Sequence, residues 1–254
     1  MPVRNRKDEL GELSIAFNDL LNRLETSFNA QKMFVSNVSH EMRTPLAAII
    51  AELDLVLQKE RTEEQYRLSI QNALHDAQRM TRLMDGLLNL AKADYLQEQI
   101  KMQEIRLDEL LLDVRASILR GHPNYSIELV FEQEDADDDS FIVVKGNIYL
   151  LSIAFSNLIE NNCKYSSNHS ALVQIPYWDK WTVVRMSDNG MGMTEKDKQH
   201  LFTLFYRGEQ GIHEDGYGIG MVLAQKIISL HKGKLNVYSE QDRGTTFVVK
   251  LPHI

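Results

Sequence analysis

Apolar residues recur at steps of three and four over most of the first hundred positions. Leu10, Leu13, Phe17, Leu20 and Leu24 lead through Phe28 to Val35, Val38, Met42, Leu46, Ile49, Leu53 and Val56, the spacing that lines one face of a helix. The pattern predicts a single helix from about Asp8 to Lys59, roughly 75 Å long at 1.5 Å per residue. Pro45 lies inside it; proline lacks an amide donor and crowds the carbonyl one turn back, so a bend is expected there. The seam also changes phase at this place, through two successive steps of four from Val38 to Met42 to Leu46. Thr62, with Gln65 three residues on, predicts a capping box that opens a second helix. There Tyr66, Ile70, Ala73, Ala77, Met80, Met84, Leu87 and Ala91 alternate four and three. A lone hairpin would leave on the order of 10 kcal/mol of apolar burial unrealised. Two hairpins forming a four-helix bundle cover both stripes, which predicts a homodimer.

Beyond about Tyr95 the period changes. Leu107 to Leu119, Ile148 to Cys163 and Gly220 to His231 read as helices. Ser126 to Gln133, Phe141 to Val144, Val173 to Tyr177 and Trp181 to Ser187 read as strands, and Lys234 to Tyr238 with Thr246 to Leu251 as a closing hairpin. The expected fold is multidomain: a long helical hairpin, then an α+β sandwich of helices on a mixed sheet. The acidic run Glu132 to Asp139 has no turn glycine or regular ligand spacing, and reads as a solvated turn.

Composition narrows the function. A net charge of -8 with scattered Lys and Arg offers no broad basic surface for nucleic acid. Cys163 is the only cysteine, which excludes a disulfide framework and a cysteine metal site and reads as a small buried residue. No run approaches the roughly 18 apolar residues of a membrane span, so no membrane contact is expected of the chain itself. Its abrupt entry into a helical pattern at Asp8 suggests further sequence upstream.

His40 sits two residues from both Val38 and Met42, which turns it roughly 200° from the seam, towards solvent. It is followed by Glu41, and Thr44 lies one turn on along the same face. His75 has the same helical phase, so exposure alone does not distinguish the two; His75, His122, His169, His200, His213, His231 and His253 read as surface residues. In the second half, Asn157 and Asn161 share a helical face while Phe155, Leu158 and Ile159 can pack on a core. The Asn161 amide oxygen suits Mg²⁺, and Lys164 can reach a phosphate. Asp188-Asn189-Gly190-Met191-Gly192 follows a strand-like run, giving a carboxylate acceptor for an exocyclic amine beside glycines that let backbone approach a ligand. Gly216-Tyr217-Gly218-Ile219-Gly220 opens a helix whose free amides favour phosphate. Arg243-Gly244-Thr245-Thr246-Phe247 reads as a tight turn into the last strand.

In this order the motifs resemble the cytoplasmic core of bacterial sensor histidine kinases. His40-Glu41-x-x-Thr44-Pro45-Leu46 resembles the H-box and Asn157 to Tyr165 the N-box. Asp188-x-Gly190-x-Gly192 resembles the G1 box, Phe202-x-x-Phe205-Tyr206-Arg207 the F-box, and Gly216-x-Gly218-x-Gly220 the G2 box. Residues 8–29 resemble the second half of a HAMP linker. The resemblance implies a HAMP-type helix over 1–30, a dimerisation and phosphotransfer domain over 31–95, a linker over 96–104 and a Bergerat-type ATP-binding domain over 105–254. It implies ATP and Mg²⁺ as cofactors, with Asn161 on the metal, Asp188 on adenine, and Lys164 and Tyr165 lining the pocket. Gly190, Gly192, Gly216, Gly218 and Gly220 would frame the phosphates, Arg207 would lie near them, and Asn157 and Thr245 complete the ATP-binding set. Thr203 to Tyr217 would be a mobile lid.

The implied chemistry is attack of His40 on the γ-phosphorus of ATP, with Glu41 as base or orienter, then transfer to an aspartate of a response regulator. Thr44 resembles the residue that serves phosphatase activity towards that regulator, and Asp94 reads as solvated. The resemblance further implies a cytoplasmic location on an inner-membrane-anchored protein. Departures from the family pattern are Asn162 where Ala is usual, Asn147 after Gly146 where Asp is common, and Ile219 and Met221 in place of Leu. Asn162 puts nucleotide affinity in question. A plain ATPase of gyrase or Hsp90 type carries a water-activating Glu where this chain has Asn157, an amide that cannot act as a base. A non-enzymatic dimeric adaptor would not need His40, Asn161, Asp188 and the glycines together.

Overall fold

The computed structural model describes residues 9–95, 101–131, 142–176, 181–208 and 216–253. The chain forms two compact units, Met1–Thr81 and Arg82–Ile254. Within the described residues, no helix is long and apolar enough to cross a membrane.

The first unit holds most of the predicted hairpin, whose second helix runs on past Thr81. Helix α1 spans Glu9–Gln58 and continues unbroken across Pro45. Just before Pro45 the Thr44 hydroxyl donates to the His40 carbonyl at 3.3 Å, a back-bond that competes with helix geometry. Helix α2 spans Glu63–Tyr95. Its start carries the predicted capping box: Gln65 N–H donates to Thr62 Oγ1 at 3.3 Å and Thr62 N–H to Gln65 Oε1 at 3.2 Å. The Asn72 amide donates to Glu52 across the hairpin at 3.3 Å. Only part of the seam is covered within one chain. Val38, Met42, Ile49 and Val56 are half-buried, whereas Val35, Leu46, Leu53, Ile70 and Leu74 remain exposed, as do Leu13, Phe17, Leu20, Leu24 and Phe28.

The second unit sets helices against a mixed sheet. Its elements are β1 Gln103–Arg106, α3 Leu107–Gly121, β2 Ser126–Phe131, β3 Val143–Gly146, α4 Ile148–Tyr165, β4 Ser170–Ile175, β5 Trp181–Ser187, α5 Glu195–His200, α6 Gly220–Leu230, β6 Lys234–Glu240 and β7 Gly244–Pro252. The main sheet has the order β2-β4-β5-β7-β6, parallel at β2–β4 and antiparallel elsewhere. β1 and β3 form a separate antiparallel pair. Phe155, Leu158 and Ile159 of α4 are fully buried, as are Val173, Ile175, Val184, Met186, Phe247 and Val249, which register and alternation put on one face of the sheet. The pattern located these helices and the closing hairpin but not β1 or α5, and set β3 two residues early and β4 two to three residues late. The acidic run falls outside the described residues.

Helix α4, which carries the asparagine motif, has a double start. The Asn147 side chain caps it by accepting from Leu150 N–H at 3.0 Å. The Asn147 backbone N–H donates to His231 Nε2 at 2.9 Å, while His231 Nδ1 lies 2.7 Å from the Ile227 carbonyl. Those partners require a neutral ring protonated on Nδ1. His231 is therefore buried, 4% exposed, and not the surface residue the sequence suggested; burial first of all holds its pKa below 6.5. Because the unfolded chain takes up this proton first, the contribution of His231 to stability is complete above pH 6.5 and is lost as the pH falls below it. Thermal melts from neutrality to about pH 5.5 should show a shallower acid loss for His231→Gln than for the wild type. Equal slopes would refute the coupling.

Candidate functional site

The site in the second unit is organised on α4. Asn157, Asn161 and Lys164 fall on one face while Leu158 and Ile159 point into the core, as the 3.6-residue period requires. The glycine-rich segment before α6 passes along that polar face. A Cβ on Gly220 would lie 2.3 Å from Asn157 Oδ1, and one on Gly216 would lie 3.4 Å from Lys164 Nζ. Asn157 donates its amide to the Ile153 carbonyl at 2.8 Å, so it packs beneath Gly220 with its donor engaged. The Asn161 amide nitrogen is 3.1 Å from Met221 Sδ. The Lys164 ammonium stands 4.9 Å from the centre of the Tyr165 ring, within cation–π range.

Asp188 closes the other side of α4, just past the end of β5. Its Oδ1 accepts from Gly190 N–H at 2.8 Å and Thr245 N–H at 3.3 Å; its Oδ2 accepts from the Asn162 amide at 2.5 Å. Asn162 also donates to the Thr245 carbonyl at 3.2 Å, and Asp188 N–H donates to the same carbonyl at 3.0 Å. Burial pushes the Asp188 pKa upward, and the three hydrogen bonds oppose it. The neighbouring Cys163 thiol is pushed up to about 12 by burial, then by Glu160 and Asp188, which leaves it unreactive.

Close backbone approach explains two of the glycines. A Cβ on Gly190 would sit 1.9 Å from the Tyr165 carbonyl oxygen, and Gly244, at φ 88°, would place one 2.0 Å from the Asp188 carbonyl. Side chains there would push apart the turns that hold the carboxylate. Gly192 abuts the Glu240 carbonyl and Gly218 the Tyr206 carbonyl. Thr245 is buried, and its hydroxyl lies 2.9 Å from that of Ser239. Arg207 is half-buried. The middle of the expected lid, residues 209–215, lies outside the described residues. Its near end is anchored by Tyr206, whose hydroxyl donates to Asp197 at 2.9 Å. The Thr194 hydroxyl, foremost among its partners, holds the Asp197 carboxyl below its usual range.

The residue types fit a magnesium–nucleotide pair. With the Asn161 nitrogen turned to sulfur, its carbonyl oxygen is the atom left for a hard cation. Among the described residues no cluster of three His, Cys, Asp or Glu could hold a metal by itself.

His40, Glu41 and Thr44 lie in the first unit. The His40 side chain is 77% exposed, and its Nδ1 is 3.6 Å from Glu41 Oε1. That is beyond hydrogen-bond length but within reach of a carboxylate that orients the ring. The Asp94 side chain falls outside what the structure describes. Sequence reasoning missed Asn162 as a partner of Asp188, Met221 as a partner of Asn161, and the Tyr206–Asp197 bond.

Residues 30–96 match the His Kinase A (phospho-acceptor) domain, and residues 146–254 match the histidine kinase-, DNA gyrase B- and HSP90-like ATPase family. The chain has the two domains of a sensor histidine kinase core. It is 31% identical to the sensor protein IrlS of Burkholderia pseudomallei over 99% of its own length and 53% of that protein. It is 28% identical to the signal transduction histidine-protein kinase ArlS of Staphylococcus aureus over 98% of its length and 55% of that protein. The chain thus spans about half the length of the curated relatives it matches. The same fold occurs in the Acinetobacter baumannii histidine kinase AdeS, with a TM-score of 0.63 at 17% identity, covering 84% of this chain and 98% of that one. It occurs also in the histidine kinase ThkA, solved in complex with the response regulator protein TrrA, with a TM-score of 0.69 at 18% identity, covering 97% and 68%.

Proposed function

We propose that this histidine kinase core transfers the γ-phosphoryl group of ATP to His40 and then to an aspartate of a response regulator. The observation that carries this reading is His40 itself, exposed on a helix with a carboxylate beside Nδ1. Glu41 orients the Nδ1–H bond and leaves the Nε2 lone pair outward. Nε2 attacks the γ-phosphorus in line, the bond from phosphorus to the β,γ-bridging oxygen breaks, ADP leaves, and Glu41 takes the Nδ1 proton as the phosphoimidazole forms.

In the second unit Asp188 accepts from the adenine amine, Lys164 and Arg207 face phosphates, and the glycines of both loops bring backbone amides to the nucleotide. Asn161 would hold Mg²⁺, which neutralises phosphate charge when bound. Tyr165 and Thr245 line the base side, and Asn157 supports Gly220. Asn157 in place of a catalytic acid favours transfer to protein over hydrolysis by water. Thr44 orients water against the regulator's phosphoaspartate in a separate phosphatase reaction, a hydrolysis that breaks the acyl phosphate and releases inorganic phosphate. The domain limits follow the motifs: 31–95 for dimerisation and phosphotransfer, 105–254 for ATP binding. The uncovered apolar stripes of α1 and α2 support pairing of two chains in a four-helix bundle.

Incubation with γ-labelled ATP and Mg²⁺ should leave label on the protein that is lost in acid and retained in alkali, the behaviour of a phosphoramidate. Acid-stable label, or release of all label as free phosphate, would overturn the assignment.

A further inference from the structure

Asn162 is wholly buried on α4, yet it is polar. Its amide nitrogen bridges the Asp188 carboxylate at 2.5 Å and the Thr245 carbonyl at 3.2 Å. Both partners only accept, so the nitrogen must face them and the amide orientation is fixed by the network. The Asn162 oxygen, by contrast, has no donor. A buried carbonyl left in that way is unfavourable, so the stabilising part of this side chain is its nitrogen.

We propose that Asn162 is a positioning residue for nucleotide recognition, holding the Asp188 carboxylate in one orientation and in its acceptor form. The inference rests on the reading that Asp188 accepts a hydrogen bond from the base. It follows from how the bonds are divided. Gly190 and Thr245 both bond Oδ1, and Asn162 is the donor that the structure gives to Oδ2. Without it, Asp188 keeps its backbone anchors but loses the donor that fixes its second oxygen. It also loses one of the three bonds that oppose protonation in a buried place. The groups facing Asp188 from the packed elements add little charge. Cys163 on α4 is a neutral thiol, and Glu160 lies one turn back on that helix. The Gly190 turn and the start of β7 bring backbone amides and threonines, and β4 has no ionisable residue between Ser170 and Ile175.

The test is ADP binding by calorimetry across pH on the whole chain, for the wild type, Asn162→Ala, Asn162→Leu and Asp188→Asn. In the wild type, affinity should fall as acid protonates Asp188. Asn162→Ala should bind about 10-fold more weakly at neutral pH, and its acid limb should begin at a higher pH. Asn162→Leu, with the same branching and number of side-chain heavy atoms but no donor, should behave the same way and carries the test if the alanine variant does not fold. An acid limb that stays in place overturns the proposal, whether affinity is unchanged or reduced equally at every pH. A wild type that fails to bind ADP, or Asp188→Asn with undiminished affinity, would refute the reading of Asp188 instead.

Discussion

His40→Gln should bind Mg-ATP as the wild type does and carry no acid-labile phosphoryl group. Glutamine keeps a polar, helix-compatible side chain at an exposed position, so neither the hairpin nor the nucleotide site should change. What disappears is the imidazole nitrogen. An amide has no comparable lone pair, and Glu41 beside it cannot replace the nucleophile, since a mixed anhydride would hydrolyse and label differently. The expected result is label reduced to background with ADP affinity within about two-fold of wild type. His75→Gln, on the same helical phase but with no acceptor motif around it, should label normally. Label that survives in His40→Gln, or vanishes in His75→Gln, would move the acceptor elsewhere.

Asp188→Asn should abolish labelling by the opposite route, through loss of nucleotide. The carboxylate accepts from two backbone amides and from Asn162, and it is the acceptor proposed for the adenine amine. Replacing one oxygen by NH₂ sets a donor against a donor, and hydrogen bonds to a charged group contribute about 1.5–3 kcal/mol each. The expected loss of ATP affinity is on the order of 100-fold, while α4, β5 and β7 keep their packing and the melt shifts only slightly. Equilibrium binding of ADP with a parallel thermal melt checks both halves. A folded variant with wild-type affinity would remove Asp188 from the site. The two variants separate the chemistry: one binds without reacting, the other cannot bind.

Much of this arrangement is legible in the sequence because it depends on period and on residue type. The seams of α1 and α2 declare themselves through apolar spacing, and α4 through Phe155, Leu158 and Ile159 opposite Asn157 and Asn161. The misses have definite causes. β1 has one buried residue, Ile105, among four, so alternation could not mark it, and its pairing with β3 is what makes it a strand. α5 buries nothing and is written only in its Thr194–Asp197 capping box. Asn162 was visible as an anomaly, but its partners lie 26 and 83 residues away in sequence, and no local pattern reports such distances. His231 is similar: an ordinary residue at a helix end whose importance comes from Asn147, 84 positions upstream.

One consequence of α4 concerns how much this chain can vary in length. A single helix delivers Phe155, Leu158 and Ile159 to the core, Asn162 to Asp188, and Asn157, Asn161 and Lys164 to the glycine segment. One residue inserted between Phe155 and Lys164 would rotate everything after it by about 100°. Amides would then enter the core while leucine faced the nucleotide. Loops elsewhere can lengthen at modest entropic cost, but between these two positions no insertion or deletion can be absorbed, and the spacing itself is a functional element.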